Sequence, residues 1–411
     1  MNVLWLKYAM KIEHHIRNCM VIQHFNLYRA ASVGFLIIIL TLSINSCSDQ
    51  TAVKAFLTDI KKTPPQNRAR VLDAFLQKNK KNALPLIDGN EVLFGLRMNT
   101  QKSVYLTGDM VQWEKDSLQM IHLAGTDFYY LQQKFPLDAY IEYKYVVGDS
   151  FIFDPFNDKR SEGGMGANSL LMMPRYEFPQ EILKTQNVRT GQIDTLTFRS
   201  TVLNNERSVF IYEHPLTQKK APLLIFQDGE EYLNFAYAHN ILDNLIHEEK
   251  IPPVKAIFVN PVQRLKEYWM DDRYTKMLFT ELIPTIKEQR KWNEAVSVGL
   301  CGVSLGGLIS VYTLKTYPTV IDFVISQSGA FWVDNQKIIE VLQPLQNNEA
   351  TVILQHGSFE RQDGIHEAIM KLLKNRNFNV YEQRVHAGHN WGNWRTYLGD
   401  ALEHVFVKRS L

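Results

Sequence analysis

The chain has 411 residues, 45% hydrophobic and 21% charged, an ordinary globular composition with enough length for two domains. A formal net charge of +2 leaves no electrostatic footprint for nucleic acid. The sequence carries no zinc-type Cys/His spacing, no internal repeat and no long low-complexity tract, which excludes a zinc module and a repeat architecture.

Residues 1–46 read as a lipoprotein signal peptide. The apolar run at 33–42 follows Arg29 and further basic residues; it has signal length and is shorter than the ~20 residues of a membrane span. Ile44-Asn45-Ser46-Cys47 then resembles a bacterial lipobox. Cys47 is expected to be acylated, to become the new N-terminus and to hold the protein in the cell envelope by a lipid anchor. An uncleaved signal anchor and simple secretion are the alternatives. The stretch before Arg29 is long for a signal n-region, and Met20 offers a later start. With Cys19 removed and Cys47 acylated, Cys301 stands alone, so no intramolecular disulfide is expected. At the end of an apolar strand, Cys301 reads as a buried small hydrophobe.

Residues 47–83 read as a spacer and helical segment, "AVKAFLTDIKK" and "NRARVLDAFLQKNKK" being separated by Pro64-Pro65. Residues 84–175 change to short β-runs ("EVLFGLRM", "SVYLTG", "FYYLQQKF", "YIEYKYVVG") separated by Gly, Asp and Asn. That pattern predicts a small all-β, immunoglobulin-like sandwich. Its aromatics Trp113, Tyr129 and Tyr143 are either sandwich core or the lining of a substrate groove. From 190 to 411, runs such as "APLLIFQDG", "VKAIFVNP", "AVSVGLC", "DFVISQSG" and "ATVILQHG" alternate with helical stretches. This predicts an α/β domain with a mostly parallel central sheet, and a ligand site at the carboxyl ends of its strands.

The chemistry-bearing residues fall at those ends. In "SVGLCGVSLGGLISVYTL" a serine sits between two glycines where a buried strand must turn into a helix. This is the pattern of a nucleophile elbow, in which positions two either side of the serine must be small. Ser304 is the expected nucleophile. In this chain order a carboxylate and then a histidine follow. His356, His366, His386, His389 and His404 lie downstream. His366 and His404 fall in helical patterns and read as surface residues. "VHAGHNWGNWRTYL" places His389 in a tight loop after the last strand, His386 reading as its solvent-facing neighbour. Trp391 and Trp394 beside it are expected to wall a pocket. Between serine and histidine, "ATVILQHGSFERQDG" offers Glu360 and Asp363, and Glu360, nearer the strand end, is the preferred acid. Acyl transfer also needs donors for a developing oxyanion. The backbone N–H groups of Leu305, after the nucleophile, and of Glu230, in "LLIFQDGEEYL", are the expected pair.

Several stretches resemble one family. "VYLTGDMVQW" and "IEYKYVVGD" resemble the small glycogen-binding-type β-sandwich found ahead of glycogen-branching enzymes and enterochelin esterases. "QDGEEYL", "RLKEY", "GVSLGG", "SQSGAFW" and "GHNWGNWR" resemble the enterochelin-esterase branch of the esterase-D-like α/β-hydrolases. The resemblance implies an α/β-hydrolase and a cofactor-free, metal-free serine esterase acting on a small-molecule or oligosaccharide ester. It implies that Arg264 lines the substrate cleft, the alternative being an ion pair with Glu267. Two substrate classes remain open: catecholate siderophores, and feruloyl or acetyl esters of plant polysaccharides. A non-catalytic glycan-binding lipoprotein is the reading from another class, and it has no need of a complete Ser–Glu–His set.

Overall fold

The structure is a computed structural model that describes residues 52–79, 84–164, 166–292, 294–361 and 364–407. The expected signal peptide with Cys19, Met20 and Cys47, and the alternative acid Asp363, lie outside the described residues.

Among the described residues, one sheet has eight strands. Their spatial order is Gln192–Ser200, Asn205–Glu213, Lys255–Val259, Lys220–Gln227, Glu294–Val303, Phe323–Gln327, Thr351–Gly357 and Asn379–Val385. The first two pair antiparallel, and the strands from Lys255–Val259 onward run parallel. Parallel strands joined by helical crossovers are buried on both faces, and the side chains show it. Leu223 and Ile225 face one core with Leu300, Leu308 and Val352. Their neighbours Leu224 and Phe226 face the other with Cys301, Phe323 and Ile353, as the two-residue period of a strand requires. Burial pushes the Cys301 thiol up to about 12, so at neutral pH it is an inert small hydrophobe. The register aligns Val303 with Gln327, Gln327 with Gln355, and Gly357 with Val385. The residues just beyond those positions therefore emerge along one edge.

Ahead of this sheet lie two antiparallel sheets. One is ordered Leu86–Asp88, Glu91–Arg97, Phe128–Lys134 and Ile121–His122; the other centres on Val104–Gly108, Tyr140–Val147 and Asn168–Met172. Val92, Phe94, Leu106, Ile141, Tyr143 and Tyr145 share the core between them. Tyr129 and Tyr143 are core residues at 8% and 0% exposure, whereas Trp113 is half-buried. Helices Ala52–Lys62 and Pro65–Asn79 do more than space this body from the N-terminus. Val53, Phe56, Leu57 and Ile60, on one stripe of the first helix, pack with Leu93, Phe128 and Tyr130. All of the described residues belong to one compact unit.

His366, expected at the surface, is buried at 4% exposure. Its helix Ile365–Lys374 turns it inward, where it stacks on His356 at 4.3 Å and meets the edge of Phe331. Neither ring nitrogen finds a hydrogen-bond partner among the described residues. Burial, and then the neighbouring His356, lower its pKa from 6.5 to about 4, against the opposing charges of Glu360 and Glu382. Above pH ~6.5 His366 is neutral in both folded and unfolded chains, and below it the unfolded chain takes up a proton that the folded one refuses. Stability should therefore fall from pH 6.5 to 4, by up to about 3 kcal/mol from this group. Denaturant unfolding at pH 7 and pH 4.5 should show a smaller loss for His366→Phe than for the wild type. Equal losses would contradict this account.

Candidate active site

Ser304 stands between the strand ending at Val303 and helix Leu305–Tyr312, at φ 54° and ψ −120°. A side-chain-bearing residue holds such angles only where its surroundings enforce them. The Ser304 N–H donates to Gln327 O at 2.9 Å, and Ser304 O accepts from Ala330 N–H at 2.9 Å and Leu308 N–H at 3.0 Å. Glycine is required at 302, where a Cβ would lie 2.2 Å from Gly306 O. Strand and helix therefore cross at backbone contact, and the serine side chain is lifted out of the sheet.

The structure brings the three sequence-predicted side chains together. Ser304 Oγ lies 3.0 Å from His389 Nε2, and His389 Nδ1 lies 2.9 Å from Glu360 Oε2. The Glu360 side chain is 5% exposed and that of His389 34%. The other carboxylate oxygen, Glu360 Oε1, accepts from Ser328 Oγ at 2.6 Å and the Gly357 N–H at 2.6 Å. Burial by itself would raise the Glu360 pKa; the hydrogen bonds and charge of His389, with those of Ser328 and Gly357, outweigh it and hold the group below its ordinary value. Glu360 is thus kept as a carboxylate facing the imidazole.

The two expected oxyanion donors differ in state. Leu305 N–H lies in the first turn of its helix, where backbone donors lack intrahelical acceptors. Glu230 N–H donates at 2.7 Å to Asn260 Oδ1, so it serves an oxyanion only if that side chain gives way.

Trp391 and Trp394 are placed otherwise than the sequence suggested, and Arg264 has a partner other than Glu267. Arg264, with its side chain 35% exposed, does not pair with Glu267. Its Nε and Nη2 each lie 2.8 Å from the carboxylate oxygens of Asp228, whose side chain is 1% exposed. Glu267 is taken by buried Arg207 at 2.9 Å. The bidentate pair fixes the turn at Asp228, which carries φ 54°. Trp391 and Trp394 are each 6% exposed and cannot stack on a ligand. They lie on helix Trp391–Val407 three residues apart and pack into the core beneath the site. Trp394 presents its ring edge to His389 at 5.1 Å and donates Nε1–H to Ser328 Oγ at 2.8 Å. It therefore supports both the histidine and the serine that holds Glu360.

A cleft of about 250 Å³ opens beside His389, lined by Asp109, Gln112, Trp113, Trp332, Phe359, Glu360 and Arg361. Its exposed aromatic is Trp332, 41% exposed, with its ring 5.7 Å from that of His389. Trp332 closes the stretch "SQSGAFW", and Phe359 and Arg361 flank the predicted acid. Their position beside the expected site residues is the available signal, and nothing in their own spacing marks them. The other histidines are engaged elsewhere: His386 Nδ1 with Asp138 at 2.7 Å, His356 Nε2 with Glu382 at 2.9 Å, and His404 stacked on Tyr381.

Comparison with known proteins places this geometry in context. The family described as "Putative esterase" matches residues 200–405, half of the chain. An Escherichia coli iron(III) enterobactin esterase is 25% identical over 272 residues, covering 61% of this chain and 66% of that protein. The uncharacterized Bacillus subtilis protein YbbA is 29% identical over 161 residues, covering 34% of this chain and 63% of its own length. The chain thus spans slightly under two thirds of these curated relatives. The crystal structure of the enterobactin esterase from Shigella flexneri in the presence of enterobactin has a TM-score of 0.64 at 21% identity, covering 78% of this chain and 93% of that one; at this identity it shows a shared fold. With its α/β-hydrolase sheet and a match that spans the elbow, the acid and the histidine loop, the chain belongs to the esterase family.

Proposed function

We propose that the protein is a serine carboxylic-ester hydrolase working through an acyl-enzyme. The observation that carries this reading is the continuous hydrogen-bonded chain Ser304–His389–Glu360 at the mouth of an aromatic cleft. Ser304 Oγ attacks the ester carbonyl while His389 Nε2 takes its proton. Glu360 holds the Nδ1 proton and stabilises the imidazolium. Leu305 N–H, joined by Glu230 N–H when Asn260 releases it, receives the oxyanion. The imidazolium then protonates the leaving alcohol, and a water activated by His389 hydrolyses the acyl-enzyme and restores the serine.

Trp113, Trp332 and Phe359 in the cleft beside His389 suit a planar phenolic acyl group better than an acetyl group. Arg361 in the same wall adds positive charge that favours a catecholate. The enterobactin esterases among the relatives support the catecholate ester ahead of a feruloyl polysaccharide ester. Attachment to the cell envelope through a lipid on Cys47 completes the proposal.

Ser304→Ala and His389→Ala should each lower kcat by about 10⁶, with Glu360→Ala less severe and the combined variants hardly worse than the singles. Additive losses would argue against a shared catalytic unit, and no turnover of any ester by folded protein would favour the glycan-binding reading. On substrates, kcat/KM for a cyclic tri-catecholate ester and a feruloylated oligosaccharide should exceed that for an acetylated one more than about tenfold, or ~1.4 kcal/mol. Trp332→Ala should narrow the gap; a preference for the acetylated sugar would sink the phenolic assignment. Cys47→Ala should release the protein from membranes or leave its signal uncleaved. Mass spectrometry finding an unmodified N-terminus well beyond Cys47 would rule out the anchor.

A further inference from the structure

The histidine loop is gripped from outside the α/β sheet. Asp109, at the end of strand Val104–Gly108 in the two-sheet body, is 3% exposed. Its Oδ2 accepts the Glu142 N–H at 2.8 Å and the Asn390 Nδ2–H at 2.9 Å, and its Oδ1 accepts the Trp113 Nε1–H at 3.2 Å. A Cβ on Gly388 would lie 2.2 Å from Asp109 Cγ. The carboxyl group thus presses on the residue before His389 and bonds the side chain of the residue after it.

Around this contact both partners are braced. Gly108 lets its turn meet the strand Tyr140–Val147, since a Cβ there would lie 2.3 Å from Glu142 O. The turn then carries Gln112 at φ 52° and Trp113 at φ 65°, backbone angles that persist only where neighbours over-determine them. On the other side, Asn390 Oδ1 accepts the Asn393 N–H at 2.9 Å, and Asn393 Nδ2–H returns to Gly388 O at 2.7 Å. Holding Asn390 therefore holds the whole arc through His389. The backbone repeats the link, with the Tyr140 N–H donating to His386 O at 2.9 Å.

We propose that Asp109 is a positioning residue for catalysis, a buried carboxyl group of the two-sheet body that sets the His389 loop through Asn390 and Gly388 while fixing Trp113 in the cleft wall. The N-terminal body is then part of the catalytic apparatus rather than an appended module. The inference rests on the esterase reading above.

The test uses the full mature chain with 4-nitrophenyl acetate and a 4-nitrophenyl ester of a phenolic acid. Asp109→Ala and Asn390→Ala should each lower kcat on both esters about 10- to 100-fold, the scale of a small misplacement of a catalytic group. KM for the acetate should stay within about twofold. The double variant should be no slower than the worse single, because both remove one link. Asp109→Asn, which keeps an acceptor for part of the donor set, should recover part of the lost kcat. Trp113→Ala should lose at least about tenfold more on the phenolic ester than on the acetate, as loss of a stacking wall predicts. Thermal unfolding separates these effects from misfolding, and Asn390→Ala carries the test if Asp109→Ala does not fold. Unchanged kcat in folded Asn390→Ala or Asp109→Ala, or additive losses in the double variant, would overturn the proposal while leaving the esterase reading intact. A wild type inactive on every ester would overturn both.

Discussion

A serine held at φ 54° and ψ −120° is the constraint from which the site follows. The strand Glu294–Val303 and the helix Leu305–Tyr312 approach until a Cβ on Gly302 would lie 2.2 Å from Gly306 O. Such an approach requires a residue without a side chain at 302. It points Ser304 Oγ away from the sheet and sets the helix N-terminus, with its unpaired N–H groups, immediately behind it. Parallel register then brings the next strand ends to the same edge. The acid and the histidine need only short loops to reach the serine. Strain at one residue is thus offset by a buried sheet whose two faces are packed with apolar side chains.

The histidine loop has a different problem. It follows Asn379–Val385, the last strand of the sheet order, which pairs with Thr351–Gly357 on one side. An edge strand has no second neighbour to define where its following loop goes. Here the two-sheet body fills that role. Tyr140 and Leu170 pack with Val385 and Ala387, and Gly392 meets the Tyr140 ring so closely that a Cβ would fall 2.2 Å from it. From the sheet side the Phe359 N–H donates to Ala387 O at 3.2 Å, tying the acid loop to the histidine loop. His389 is placed by contacts from both directions.

How much of this was legible in the sequence depends on how local each cause is. The elbow is written in five consecutive residues, and Glu360 and His389 follow from strand ends and chain order; the structure brings these three side chains into one hydrogen-bonded chain. The mostly parallel sheet followed from strand–helix alternation. Residues whose meaning lies in a distant partner were less legible. Arg264 was weighed against a neighbour three residues away, yet its partner is Asp228, 36 positions back, and Glu267 belongs to Arg207. Trp391 and Trp394 sit beside the histidine in sequence, but the helical period turns both into the core. The helical pattern around His366 predicts a surface position; the rings of His356 and Phe331 cover it instead. Helices Ala52–Lys62 and Pro65–Asn79 were foreseen as helices, but not the sheet on which their apolar stripe lands.

The division of labour among the tryptophans follows from what an imidazole needs. In the proposed mechanism His389 passes a proton from Ser304 Oγ to the leaving group without rotating away from Glu360. Its Nδ1 is held by the carboxylate and its Nε2 by Ser304 Oγ, and the ring faces are held by neighbouring aromatics. Trp394, buried, and Trp332, exposed, both meet the imidazole ring at steep interplanar angles of 87° and 69°, the edge-to-face geometry that aromatic quadrupoles favour. Trp394 in turn is fixed by its hydrogen bond to Ser328, which also bonds Glu360. The acid and one wall of the histidine pocket are therefore set by the same hydroxyl, and a shift in either is felt by the other. Trp332 has no such tether to the triad and faces the cleft, so an aromatic acyl group that packs against it would restrict the imidazole from the side that the core leaves open. In the proposed mechanism, substrate binding and orientation of the base are coupled through one ring, which is why we propose that a phenolic ester is favoured over an acetyl ester in the transition state.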